Sequence, residues 1–364
     1  MPAGISRAGG LLAAALFFWR VPSSACLRLV EDEAPQRGLF PLSLQELREE
    51  AWGAVGAYVH ESNHGGSSKI PPPNIFAKLW ERNLQKEEGA SDFPSDVKLA
   101  VGIFLTEKYT RHDEVTKVIK RTWMSQKGVC LLKDGQKPGC GVYVAFILGR
   151  SSSSSHDQDE LVLNVTENMN KGKTFDFFRH VAKAYPWATH IGKMDLDTFP
   201  YLHRLTESLH DHLASGKCQN HYVGDPMNYT KCGYWPWCPP KNCSVPIDED
   251  FLKFKHGMKN CWSYMQGGMY VLSTAMVRDL TKPGSMWSQQ RKGFEDLRTG
   301  KAVGWFAKYY HKCVATWNPL AWDHLGTAYD RTFPNHTVVP LKYSDWESIP
   351  TVFELRKKAE KESN

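Results

Sequence analysis

Two carboxylates one residue apart, Asp195 and Asp197, close the run Lys193-Met194-Asp195-Leu196-Asp197-Thr198-Phe199, directly after the apolar-leaning stretch Trp187 to Gly192. If that stretch is a buried strand, both aspartates leave the same side of its carboxyl end. Open α/β sheets take their ligands at that end. Two hard oxygen donors there suit a divalent cation that holds a diphosphate. The same kind of acidic spacing recurs at Asp157-Gln158-Asp159 and at Asp248-Glu249-Asp250, but both lie in polar loops and read as solvated turns or helix caps.

A second constellation follows in Gln266-Gly267-Gly268-Met269-Tyr270-Val271-Leu272-Ser273, where two glycines lead into an apolar strand. Paired glycines allow a backbone to approach a ligand closely, and Ser273-Thr274 is suited to cap the next helix. Further on, Glu295-Asp296 opens a helix within Phe294-Glu295-Asp296-Leu297. Alone, such a pair is a dipole interaction of about 0.3 to 1 kcal/mol. It gains interest in order with the other two motifs.

Together with Ile119-Lys120-Arg121-Thr122-Trp123, these elements in this order resemble the β1,3-glycosyltransferase superfamily, the galactosyl and N-acetylglucosaminyl transferases of the secretory pathway, including its divergent protozoan members. The resemblance covers roughly residues 98 to 330. It implies a single nucleotide-sugar-binding domain of the GT-A type, an inverting reaction and a UDP-galactose or UDP-N-acetylglucosamine donor. It further implies a glycan acceptor on glycoprotein or glycolipid and a β1,3 link. By the same resemblance, Asp197 assisted by Asp195 holds Mn²⁺, with Mg²⁺ the alternative, and His324, preferred to His311, completes the metal shell. Asp296 is then the general base with Glu295 as fallback, and Arg121, Trp123, Gly267 and Gly268 belong to the donor site. The chain departs from the family pattern at Leu196, where a third acidic residue is common, at Gln266, where a third glycine is common, and at Leu297 in place of valine. These departures leave open a catalytically silent glycan- or nucleotide-binding protein, and the aspartate pair alone leaves open a metal-dependent hydrolase.

The elements that must position these residues are legible from pattern. With 364 residues, 41% hydrophobic and 23% charged, the chain is globular and long enough for one large domain with appendages. A net charge of +6 spread without a basic stripe excludes a nucleic-acid partner. Strands are expected at Lys98 to Thr106, Val142 to Leu148 and Ala188 to Met194, and helices at Asp113 to Trp123, Phe175 to Tyr185 and Leu202 to Leu213. That alternation predicts an α/β domain with a mostly parallel central sheet and helices on both faces. The five-serine run inside Ser151 to Asp159 reads as a surface excursion, and residues 216–263 read as a disulfide-stapled insertion facing substrate. Tryptophans concentrated after the aspartate pair, Trp235, Trp237, Trp262, Trp287, Trp305, Trp317 and Trp322, would as a cluster favour a glycan acceptor, since sugar C–H faces stack on aromatic rings, while any single one reads first as packing the core or the insertion.

The chain ends set the compartment. Arg7 followed by the uncharged stretch Ala8 to Trp19 reads as a signal peptide or short signal anchor over residues 1–26. The Pro- and Gly-broken stretch 27–95 reads as a stem or spacer with some helix, at Leu44 to Glu50 and Phe76 to Glu88, residues 96–350 as the catalytic domain and 351–364 as a charged tail. Asn-x-Ser/Thr sites at Asn164, Asn228, Asn242 and Asn335, with eight cysteines beyond Cys26, agree with an oxidising secretory lumen, most plainly the Golgi, with membrane contact only through the N-terminal segment. Cys130 is expected to pair with Cys140 across a Gly-rich turn, and the other six remain unassigned by sequence.

Overall fold

A computed structural model describes residues 73–87, 92–105, 112–150, 157–227, 249–250 and 262–325, with the single positions Pro71, Thr351, Glu354 and Lys361. All lie in one unit, Leu42–Asn364. The leader, the serine run at 151–156, residues 228–248 and 251–261 of the expected insertion, and most of the tail fall outside the described residues.

Strand β1 (Leu99–Phe104) is buried along its whole length, as a continuous apolar run inside a parallel sheet should be. It pairs in parallel with β3 (Val142–Arg150) on one side and with β5 (His190–Asp195) on the other. Strands β2 (Val129–Leu131) and β4 (Glu160–Thr166) both add in parallel to the far side of β3. Beyond β5 comes β9 (Tyr264–Ser273), antiparallel to β5 and to β7 (His221–Met227). Then β10 (Ala315–Trp317) pairs in parallel with β7 and antiparallel with the two-residue β8 (Glu249–Asp250). The sheet is thus mostly parallel, with the expected helices against it. The order is β2-β3-β1-β5-β9-β7-β10-β8, with β4 on β3.

Alternate residues of β1 feed opposite faces of the sheet. Leu99, Val101 and Ile103 join one core with Val115, Val118 and Ile119 of helix α2 (His112–Arg121). Ala100 and Phe104 join the other core with Phe175, Phe177 and Phe178 of helix α3 (Thr174–Ala184). Gly102 is fixed by this packing, because a Cβ there would lie 2.5 Å from the Phe177 ring and 2.7 Å from Ile147.

Four places differ from the expectations above. The helical patch expected within the spacer is helix α1 (Pro73–Gln85), but its Phe76 and Trp80 are fully buried in the first core, so the packed unit takes in residues ahead of 96. Ile75, Phe76, Leu79 and Trp80 form an apolar face at helical spacing, and Trp80 meets Phe199 edge-on at 5.6 Å. Within the expected insertion, His221–Met227 forms β7 of the central sheet. Strand β4, unanticipated, is only partly covered and so lacks a strong apolar signature; Asn164 on it is exposed. The Glu249-Asp250 backbone is a strand and not a loop, held by pairing with Thr316 and Ala315.

Cys130 is bonded to Cys140, as expected, and a second disulfide joins Cys218 to Cys313, ahead of the paired strands β7 and β10. Cys232, Cys238, Cys243 and Cys261 lie outside the described residues. Among the described residues no helix is long and apolar enough to cross a membrane.

Candidate active site

The carboxyl end of β5 delivers Lys193 and Asp195, and the turn Leu196-Asp197 then feeds β6 (Thr198–Pro200). Strand β6 pairs antiparallel with β11 (Trp322–His324), with His324 opposite Thr198. That small pairing decides the site's third member. It brings His324 Nε2 to 3.1 Å from Asp197 Oδ1, and the Leu325 N–H donates to the Asp197 carbonyl. The donor atoms of Asp195, Asp197 and His324 all lie within 4.8 Å of one another.

Behind this pairing, Asp323 accepts from Tyr201 Oη at 2.6 Å and from Asn83 Nδ2 of α1 at 3.4 Å. On the near side, the Gln266 amide nitrogen stands 3.2 Å from His324 Nδ1 while its Oε1 accepts from the Gly268 N–H. Such neighbours set the orientation of a ligating imidazole. Gly268 leaves no room for a side chain, since a Cβ would sit 2.7 Å from the His324 ring.

Helix α7 (Glu295–Tyr309) begins at the other end of the site with the expected acidic pair in its first turn. The two carboxylates are not equivalent. Glu295 has both oxygens engaged, Oε1 by Lys193 Nζ at 2.8 Å and Oε2 by the Tyr270 hydroxyl. Asp296 accepts at Oδ1 from the Leu297 N–H, and its Oδ2 faces the Gly267 backbone, 3.6 Å from where a Cβ would be. Burial and the neighbouring Glu295 charge push the Asp296 carboxyl up to about 7. The geometry therefore favours Asp296 over Glu295 as a proton acceptor poised near neutral pH.

Lys193 lies between the two ends. Its ammonium, on a side chain 1% exposed, contacts Asp195 Oδ1 at 2.6 Å, Glu295 Oε1 at 2.8 Å and the Gly267 carbonyl at 2.5 Å. Burial opposes its charge, but Asp195 and Glu295 outweigh that and hold the lysine protonated. Burial likewise opposes charge on His324, and Asp197 and then Asp195 overcome it and raise its pKa. Burial raises the Asp195 pKa while Lys193 pulls it down.

Of the residues singled out in the sequence, Asp195, Asp197, Gly267, Gly268, Glu295, Asp296 and His324 converge. Arg121 and Trp123 do not. Helix α2 runs back from the carboxyl end of β1, so both residues sit just before β2, whose first residue is level with the first residues of β3 and β1. They lie toward the amino end of these strands, opposite the carboxyl end that carries the aspartates. Arg121 reaches Glu81 at 3.5 Å with both side chains more than half exposed, and Trp123 is a fully buried core residue. Lys193, Tyr270 and Gln266 were missed as site members. Lys193 had a signal, being a lysine in an otherwise apolar strand two residues before Asp195 and so on the same side.

Two carboxylates from the end of β5 and an imidazole from β11 are the oxygen and nitrogen donors that first-row divalent cations accept. The residues fit such an ion. A galactosyltransferase family model matches residues 115–304, just over half of the chain. The chain belongs to the galactosyltransferase family. A search of curated proteins returned no match. The galactosyltransferase stretch contains the aspartate pair, the glycine pair and the Glu295-Asp296 turn, whereas His324 and helix α1 lie outside it. Membership assigns glycosyl transfer as the chemistry, with a nucleotide-sugar donor and a glycan acceptor.

Proposed function

We propose that the chain is an inverting, divalent-metal-dependent transferase that moves galactose or N-acetylglucosamine from a UDP-sugar to a glycan hydroxyl, forming a β1,3 link in the Golgi lumen. One observation carries this reading: Asp296, a carboxyl raised to about 7, stands beside Gly267, while His324 of the candidate metal cluster Asp195–Asp197–His324 packs against the adjoining Gly268. Asp296 takes the proton of the acceptor hydroxyl as its oxygen bonds to the anomeric carbon. The bond from that carbon to the diphosphate oxygen breaks on the opposite face, inverting the centre. A bound Mn²⁺ or Mg²⁺ supplies positive charge to the departing diphosphate. Asp197, His324 and Asp195 would hold it, Lys193 and Tyr270 fix Glu295, and Gly267 lets the backbone lie close beside Asp296.

A silent binding protein is the second reading, raised by Leu196 and Gln266. Gln266 speaks against it, since its amide contacts both the candidate ligand His324 and the Gly268 N–H and so serves the site. The proposed organisation is a leader at 1–26, a spacer, and a catalytic unit that begins no later than Pro73.

The test is UDP release by the full chain with Mn²⁺, with and without galactose- and N-acetylglucosamine-terminated glycans. Acceptor-stimulated release from one donor, lost with chelator and with Asp197→Ala, is the expected result. Tight Mn²⁺-dependent UDP binding with no release from any donor–acceptor pair would support the silent reading instead.

A further inference from the structure

A lysine buried to 1% exposure is costly unless its charge is matched. Lys193 is matched by three groups from three elements. Asp195 comes from the end of β5, the Gly267 carbonyl from β9, and Glu295 from the first turn of α7. Asp195 belongs to the candidate metal cluster, while Glu295 adjoins Asp296 in sequence and holds no free oxygen, its second one being taken by Tyr270. One ammonium thus joins the element that faces the leaving group to the element that carries the base.

We propose that Lys193 is a positioning residue for glycosyl transfer, an internal tie that fixes the separation of Asp296 from the Asp195–Asp197–His324 cluster. The proposal rests on the transferase reading above. An inverting displacement needs the attacking oxygen, the anomeric carbon and the leaving oxygen in line, and the groups that serve the two ends come from β5 and α7. A misplacement of about 1 Å can cost on the order of 10²-fold in rate. Three acceptors converging on one point suit an ammonium with three donors, whereas the planar guanidinium of arginine spreads its donors across a fork. Glu295 then acts through Lys193 and Tyr270 as the lever that sets the first turn of α7, which explains an acidic pair in which one member alone is free to accept a proton.

The full-length chain is compared with Lys193→Met, Glu295→Gln and the double variant, measuring kcat, acceptor KM and Mn²⁺-dependent UDP affinity. The tie predicts that Lys193→Met lowers kcat by about 10²-fold and leaves acceptor KM and UDP affinity no weaker than in the wild type. The double variant removes a cation and an anion together, so it regains thermal stability while kcat stays low. Recovery of wild-type kcat in the double variant would show that Lys193 only balances charge and would overturn the tie. Loss of UDP affinity with kcat unchanged would make it a donor-site residue and also overturn it. If the wild type itself releases no UDP with any acceptor, the transferase reading fails, and the tie is then decided by binding. In that arm, Glu295→Gln shifts Mn²⁺–UDP affinity by roughly twofold or more in the wild-type background and has little effect in Lys193→Met. Equal shifts in both backgrounds overturn it.

Discussion

Replacing Asp296 by asparagine keeps the side-chain volume and removes the proposed proton acceptor. Acceptor-dependent turnover of Asp296→Asn is expected to fall by about 10² to 10⁴-fold while Mn²⁺-dependent UDP binding persists, as read by kinetics and calorimetry on one preparation. The raised pKa of Asp296 fixes the direction of two pH effects. Turnover needs the carboxylate, so kcat/KM rises with pH through a limb near 7, moved lower by any bound divalent cation. Stability runs the other way. A carboxyl whose folded pKa lies above its unfolded value adds stability that is complete below the unfolded value of about 3.8 and is lost as pH rises through about 7. Asp296→Asn should therefore raise the melting temperature more at pH 8 than at pH 5. An equal gain at both pH values would show that the wild-type carboxyl is not raised. The aspartates and the acidic turn were legible in the sequence because they are local signals at strand and helix ends. Tyr270 and Gln266 were not, and Lys193 showed only as a lysine set in a strand, because their roles exist only once β5, β9 and α7 meet.

At the level of elements, the β6–β11 pairing and the glycine beside it decide whether the metal cluster is complete. A methyl at Gly268 would press on the His324 ring, so Gly268→Ala is expected to weaken Mn²⁺ affinity by about 10 to 100-fold with little loss of secondary structure by circular dichroism. Gly102→Ala strikes the core instead. It should cost about 1 to 3 kcal/mol by overpacking against Phe177 and Ile147, measurable by denaturant titration. The alternation of β1, α2, β3, α3 and β5 followed from apolar periodicity, and each appears within a few residues of its expected bounds. Arg121 and Trp123 stand apart from the cluster for a reason at this scale, and Trp123 is the core aromatic that its helix-end position also allowed. A motif at the end of a helix returns to the amino end of a parallel sheet, and the register of β2 with β3 reveals which end that is.

Across the whole molecule, residues ahead of the family-matched stretch are part of the machine. Glu87 accepts from the Leu202 and His203 N–H groups and so caps helix α4 (Leu202–Ser215), which has no side-chain cap of its own. Removing residues before Asp96 would delete that cap and expose the Trp80 pocket. A chain starting at Asp96 should therefore lose cooperative unfolding, and Trp80→Ala alone should cost about 3 to 5 kcal/mol. An Asp96 fragment as stable as the longer protein would make α1 dispensable. The packing of α1 escaped sequence reading because its partners, Phe199 and Asp323, lie far along the chain. The same contact carries a consequence for biosynthesis. Asn83 and Asp323 are separated by 240 residues, and Lys86 meets Thr351 across 265. On the ribosome, α1 emerges well before Phe199, which meets Trp80, and longer still before Asp323, which takes its Asn83. Long-range closure of this kind is slow and leaves apolar surface open to misassembly, so the nascent chain is a natural client for chaperones until β11 has been made.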